Sequence, residues 1–208
     1  AWKKHEKAEK KERKKEKKSA TEDSDHRKRI FVIDFKGDIR ASGVANLREE
    51  ISAIVSTATE KDEVVLCLEN PGGIVHEHGL AASQVLRIKD RGVPLTIIID
   101  KVAASGGYLM ACIGDRIIAA RFAVIGSIGV ISASFGFAEL MERQGVERRV
   151  YTAGEDKSVL DPFRPAKDAD HERLKALLKD ISDTFIEQVT ICRGYRLSGK
   201  DLFTGDIR

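Results

Sequence analysis

Two turns in this sequence hold the residue types that acyl-transfer chemistry uses. Pro71-Gly72-Gly73 follows the apolar run 64–68 (VVLCL), and Ser105-Gly106-Gly107 follows the apolar run 95–99 (LTIII). In parallel α/β sheets, ligands bind at the carboxyl ends of strands, where loops hand over to helices. Both turns occupy such positions. A turn glycine lets the backbone come close to a ligand and leaves its N–H free to donate. Two such turns on neighbouring strands can aim two N–H groups at one developing negative charge, an oxyanion hole. Ser105, at the start of a helix, gains further from the helix dipole. Taken singly, each turn has a plainer use: the glycines reverse the chain and Ser105 caps a helix. Their pairing is what points to chemistry.

A serine nucleophile needs a base. Among the histidines, His5 and His26 lie in a polar N-terminal stretch and His171 lies at the start of the last helix. His76 and His78 follow the Gly-Gly turn at i,i+2, where they face solvent, substrate or each other. They lack both an orienting acid and a third metal ligand at a recognisable spacing, so no metal site is expected. Lysine also serves as a base where burial or neighbouring groups keep it neutral. Most lysines here sit among other charges. Lys157 differs, because Thr152-Ala153-Gly154-Glu155-Asp156-Lys157-Ser158 reads as a loop leaving a strand.

The elements that must position these residues are legible from periodicity. Residues 31–35, 64–68 and 95–99 read as strands, the second buried on both faces. Between them, Val44, Leu47, Ile51, Ile54 and Val55 recur at helical spacing behind Ser42, a candidate cap, and a second helix runs through Leu80, Val85 and Ile88. A helix opens near Ser105 and runs to about Ile113. Strands are expected at 116–120, 128–134 and 147–152, with a helix at 137–144 between the last two. A final helix carries Leu174, Leu177, Leu178, Ile181, Phe185 and Val189 on one face. Strand–helix alternation at this spacing predicts an α/β fold with a largely parallel sheet.

Charge is unevenly placed along the 208 residues. The formal net charge is +3, but residues 1–29 carry 13 Lys/Arg against 7 Asp/Glu, leaving the remainder at −3. The basic stretch 3–18 has no apolar repeat with which to pack on a core. It reads equally as a solvated spacer or as a segment drawn to anionic lipid. A mildly acidic folded part argues against a nucleic-acid face. Cys67, Cys112 and Cys192 are odd in number and widely spaced, which points to buried reduced thiols rather than a disulfide framework. The longest uncharged run, Phe122 to Ala138, is 17 residues with three glycines and three serines, short of the ~20 a bilayer span requires. No signal peptide is visible.

Four segments together resemble the signal peptide peptidase A family of membrane-associated bacterial serine peptidases, most closely its SohB-type branch. They are Glu69-Asn70-Pro71-Gly72-Gly73; Asp100 to Tyr108 (DKVAASGGY); Ile125-Gly126-Ser127-Ile128-Gly129-Val130; and Tyr151 to Ser158 (YTAGEDKS). The similarity runs from about Ile30 to Thr204, with the family's spacing of 52 residues from Ser105 to Lys157. It implies a Clp protease/crotonase-like fold and a Ser/Lys dyad with no cofactor and no metal. Ser105 would be the nucleophile, Lys157 the general base, and Ser127 the hydroxyl that holds the lysine amine. Backbone N–H groups at Gly106 and at the Gly72/Gly73 turn would bind the oxyanion.

A lysine amine, ordinarily near 10.4, must be desolvated to act near neutral pH. Walls such as Ile128 and Val130 would do this, with Glu155 and Asp156 turned away. The caseinolytic peptidase subunit has a similar serine turn but takes a His base from the region that here is Gly126 to Ile131, where no His stands. Crotonase enzymes need no Ser/Lys pair, so Lys157 separates this chain from them.

The resemblance further implies apolar peptide substrates such as signal-peptide remnants. It implies ring-like homo-oligomers in which adjacent protomers can complete one site, and attachment to the bacterial inner membrane through an N-terminal anchor. Basic residues beside such an anchor favour the cytoplasmic side, whereas the family's usual place is the outer face. Residues 1–29 are thus expected to be a juxtamembrane tail and 30–208 the peptidase domain. Family members extend beyond the equivalent of Phe203-Thr204-Gly205, so a fragment trimmed at both ends is expected. A non-catalytic scaffold that binds membrane proteins, and an acyl-CoA enzyme of the crotonase type, are the alternatives.

Overall fold

Apolar side chains recur at every second residue from Ile33 to Phe35, Val64 to Leu68 and Leu95 to Ile99, and all are buried. In the computed structural model, which describes residues 27–151, 153, 161–196 and 203–205, these runs form neighbouring strands of one sheet. The strands are β1 (Ile30–Lys36), β2 (Glu63–Glu69), β3 (Leu95–Ile99) and β5 (Arg116–Ala119), in the order β1-β2-β3-β5, and every pairing is parallel. A parallel pair needs a crossover. Helix α1 (Val44–Thr57) supplies the first and α2 (Val75–Asp90) the second. The α/β class, the parallel sheet and the repeated strand–helix units are as expected.

Register explains where the core lies. Ile33, Leu66, Ile97 and Ile117 form one row across the sheet. Leu47 and Ile51 of α1 and Val85 and Ile88 of α2 share the core cluster with that row. Burying each such side chain stabilises the fold by about 1.5–3 kcal/mol. The opposite face is barer: Val32 is 62% exposed and Cys67 is half-buried. β2 is therefore fully buried on one face only, not on both.

A second, two-stranded parallel sheet pairs β4 (Val102–Ala104) with β6 (Val124–Gly126). It is tied to the first through an isolated bridge, Asn70 to Ala103. Helix α3 (Gly106–Ala111) leaves β4 directly. Helix α4 (Ala138–Arg143) and the long α5 (Asp168–Arg193) follow, the latter running into a single 3-10 turn (Gly194–Arg196). On α5 only Phe185, Val189, Cys192, Arg193 and Asp170 are buried, so its expected apolar face packs through its C-terminal half while Leu177 stays exposed.

Local differences from the sequence reading have local causes. Ser42 does not cap α1: Gly43 is its N-cap, and Asp38 engages both the Ser42 N–H (2.9 Å) and its hydroxyl (2.7 Å). The expected strand at 128–134 is irregular. β6 lies just before it and ends at Gly126, since the φ of 53° at Ser127 leaves strand geometry. The described residues of 147–152 likewise have no partner strand, and Val150 and Tyr151 are exposed. Contacts with the domain begin before Ile30. Arg29 donates from its backbone N and Nε to Asp62 Oδ1 and from Nη2 to Oδ2 at 2.7–3.1 Å.

Candidate active site

Ser105 stands where β4 hands over to α3, and its backbone is held at φ 50°, ψ −122°. Positive φ in a non-glycine residue is uncommon and stores strain of order 1–3 kcal/mol, sustained only where neighbours over-determine it. Here they do. The Ser105 N–H donates to Gly126 O at 2.8 Å, and its carbonyl accepts from Tyr108 N–H (2.9 Å) and Leu109 N–H (3.0 Å). Such a sharp strand-to-helix turn thrusts the side chain outward, as in a nucleophile elbow. Ser105 does not serve as a side-chain cap, and its Oγ has no hydrogen-bond partner among the described residues.

The Pro71-Gly72-Gly73 turn closes against this elbow. Gly72 has φ 88°, and a Cβ added there would fall 2.7 Å from Ala104 O and 2.8 Å from both Gly106 N and Ser105 Cβ. Only glycine permits that approach. The Gly72 N–H is not free, because it donates to Asn70 Oδ1 at 2.9 Å. The N–H groups of Gly73 and Gly106 have no partner among the described residues and so are the candidate oxyanion donors.

Gly73, Ser105 and Gly106 share the mouth of one cavity of about 370 Å³. Its walls come from α2 (Gly79, Ala82, Leu86), α3 (Leu109), α5 (Phe185) and the stretch after β6 (Val130). The lining is dominantly apolar, with Gln188 and Thr184 of α5 among the polar exceptions.

Ser127 begins beside Ser105. The last paired residues of the small sheet are Ala104 and Gly126, so the two serines are the next step on neighbouring strands, and Ser127 too is half-buried. Lys157 lies outside the described residues, as do Glu155 and Asp156. Ile128 is buried and Val130 half-buried, while the lysine they were expected to wall lies outside the described residues.

The two histidines after the Gly-Gly turn separate. His76 is exposed, with Nε2 3.8 Å from Glu77. His78 is fully buried, its Nδ1 lying 3.0 Å from Ile74 O and its Nε2 3.1 Å from Asn70 Oδ1. Neither arrangement makes a base for Ser105. Among the described residues no cluster of three or more His, Cys, Asp or Glu could hold a metal ion, and no helix is long and apolar enough to cross a membrane. All three cysteines are free thiols. A hydrogen bond with Cys192, together with burial, pushes the Cys112 thiol well up, leaving it unreactive at the end of α3.

Asn70 and His78 were not singled out as a pair from the sequence. Asn two residues before a turn N–H is a recognised side-chain turn. His78 falls on the face of Ala81, Ala82 and Val85, which marks it for burial.

Known proteins resemble the chain as follows. A probable protease SohB of Haemophilus influenzae is 56% identical over 128 residues, covering 62% of this chain and 36% of that protein. A putative signal peptide peptidase SppA of Enterococcus faecium is 26% identical over 178 residues, covering 81% of this chain and 52% of that protein. The chain thus spans about half the length, or less, of these relatives. Among solved structures, an enoyl-CoA hydratase from Bacillus halodurans overlaps 81% of this chain and 84% of its own at a TM-score of 0.40 and 17% identity. Residues 1–85 match the N-terminal part, and residues 87–204 the main part, of a single family. The chain belongs to peptidase family S49.

Proposed function

We propose that this chain is the core of a serine endopeptidase with a Ser/Lys dyad, cleaving extended apolar peptides. The observation that carries the reading is Ser105: a strained, half-buried serine with an unengaged hydroxyl at the mouth of an apolar cavity. Ser105 Oγ attacks the scissile carbonyl while Lys157 takes its proton. The carbonyl oxygen becomes an oxyanion facing the Gly73 and Gly106 N–H groups. The tetrahedral intermediate collapses as the lysine returns the proton to the leaving amine, and an acyl-enzyme remains. Water, deprotonated by the same amine, then releases the acid and restores Ser105. In this reading Ser127, one step past the Ala104–Gly126 pair, holds the lysine amine.

The apolar cavity supports substrates such as signal-peptide remnants or membrane-protein segments, as does the name of the Enterococcus relative. Phe122, Ile131 and Tyr151 are each more than nine-tenths exposed. These uncovered apolar side chains support self-association in a ring whose protomers share sites. The basic stretch 3–18 supports attachment beside an anionic membrane.

The test is labelling by a fluorophosphonate probe, read with cleavage of an apolar fluorogenic peptide. The wild-type chain is expected to label and to cut, and Ser105→Ala to do neither. Equal cleavage by both forms would leave the reading without its nucleophile.

A further inference from the structure

We propose that His78 is a positioning residue, bracing both turns of the oxyanion site from beneath through Asn70. This rests on the peptidase reading above. The ring is fully buried, so both of its nitrogens must find their partners within the protein. One nitrogen, Nδ1, faces Ile74 O at the start of its own helix at 3.0 Å, which turns the other edge toward Asn70. That edge meets Asn70 Oδ1, the same oxygen that holds the Gly72 N–H. The Asn70 side-chain amide is held from its other end, Nδ2 donating to Met110 Sδ of α3 at 3.3 Å. The Asn70 main chain also joins the two sheets, its N–H donating to Val102 O and its carbonyl accepting the Ala104 N–H at 3.0 Å.

The ring's second contact is with the elbow itself. A Cβ at Gly106 would collide with His78 Cγ and Cβ, so the ring lies directly against the Gly106 backbone. One imidazole therefore sets the height of Gly106 on one side and the orientation of the Gly72–Gly73 turn on the other. Carbonyl oxygens face both ring nitrogens. A neutral ring donates to only one of them, and in the brace that proton sits on Nε2 and is donated to Asn70 Oδ1, the oxygen that also holds the Gly72 N–H. The position of the ring and the orientation of the turn are thereby coupled.

The experiment compares His78→Leu, His78→Gln, Asn70→Ala and the double variant His78→Leu/Asn70→Ala in the full chain. Cleavage of the fluorogenic apolar peptide is measured together with hydrogen exchange at the Gly72 amide. His78→Leu is expected to lower kcat about 10- to 100-fold with KM unchanged, since misplacing a donor acts on the transition state. His78→Gln, which can still donate to Asn70, should recover much of that loss. The double variant should be no worse than the worse single one, and Gly72 exchange should quicken in His78→Leu and Asn70→Ala.

A folded His78→Leu protein with wild-type kcat, losses that multiply in the double variant, or unaltered Gly72 exchange would each overturn the brace. If His78→Leu does not fold, Asn70→Ala and His78→Gln decide by the same two measurements. A wild-type chain that cuts nothing would sink the peptidase reading alone, and Gly72 exchange would still decide the brace.

Discussion

Ser105 and Ser127 occupy the same step of two neighbouring parallel strands, one residue past the Ala104–Gly126 pair, and both turn out of the sheet with positive φ, 50° and 53°. Two non-glycine residues strained side by side are not a folding requirement, since glycine would relieve either one. The strain puts two hydroxyls where two extended strands would not.

Replacement of Ser105 by glycine should accordingly separate stability from activity. Glycine adopts φ 50° without steric cost, so Ser105→Gly is expected to gain about 1 kcal/mol, allowing for glycine's greater chain entropy. Chemical denaturation midpoints would show the gain, and the same preparation should be inert toward a fluorophosphonate. A destabilised Ser105→Gly protein would mean that the hydroxyl contributes to folding.

Removing the base should cost more than displacing a donor. Lys157→Ala is expected to reduce kcat by about 10²–10⁴-fold, the range for general acid–base groups. The wild-type pH–rate profile should rise along a single limb with pH, as one amine loses its proton. Steady-state kinetics between pH 5 and 10 would check both, and full activity in Lys157→Ala would dismiss the dyad.

Gly79 controls the size of the cavity. It lies mid-helix in α2, where glycine costs about 1 kcal/mol against alanine, yet a Cβ added there meets nothing within 4 Å and it lines the cavity. Gly79→Ala should therefore raise the thermal midpoint, and Gly79→Leu should fill the space. Cleavage of a peptide series that differs only in the residue before the scissile bond should show Gly79→Leu favouring small side chains by about tenfold over the wild type. An unchanged preference would place the substrate side chain elsewhere.

Acid sensitivity should reside partly at the start of α5. A hydrogen bond from the Arg164 guanidinium, 2.8 Å away, holds the Asp170 carboxyl down at about 2, and the Lys167 N–H adds to it. The folded state thus keeps Asp170 charged where the unfolded chain, at its ordinary 3.8, takes up a proton. Its contribution is complete above that value and is lost as pH falls toward 2. Thermal midpoints of wild type and Asp170→Asn should differ at pH 6 and converge near pH 2. A constant difference across that range would contradict the assignment.

Much of this architecture was legible because burial on one face prints itself on sequence. Ile33, Leu66 and Ile97 alternate as strand residues must, and Leu47, Ile51 and Ile54 recur as helical ones must. The elements misread were those whose apolar residues found no partner strand where the pattern put one. Val130 and Ile131 have the β-branched look of a strand, but the three residues before Ser127 took the pairing with β4, and nothing local announces that.

At the site, the two turns were readable from glycine alone. The occupation of the Gly72 N–H was not, because it depends on Asn70, whose side-chain amide is oriented in turn by Met110 and His78. His78 was expected to face solvent, substrate or His76, and its burial follows from the seat that Gly106 leaves open.

The hydrogen bond from Ser105 N–H to Gly126 O also orders events in time. A growing chain presents Ser105 well before the segment that carries Gly126, and without that segment the elbow has neither its anchor nor its neighbouring strand. The Ser105 turn is therefore set only after the later segment has docked. In the proposed peptidase, a half-made molecule would lack a positioned nucleophile.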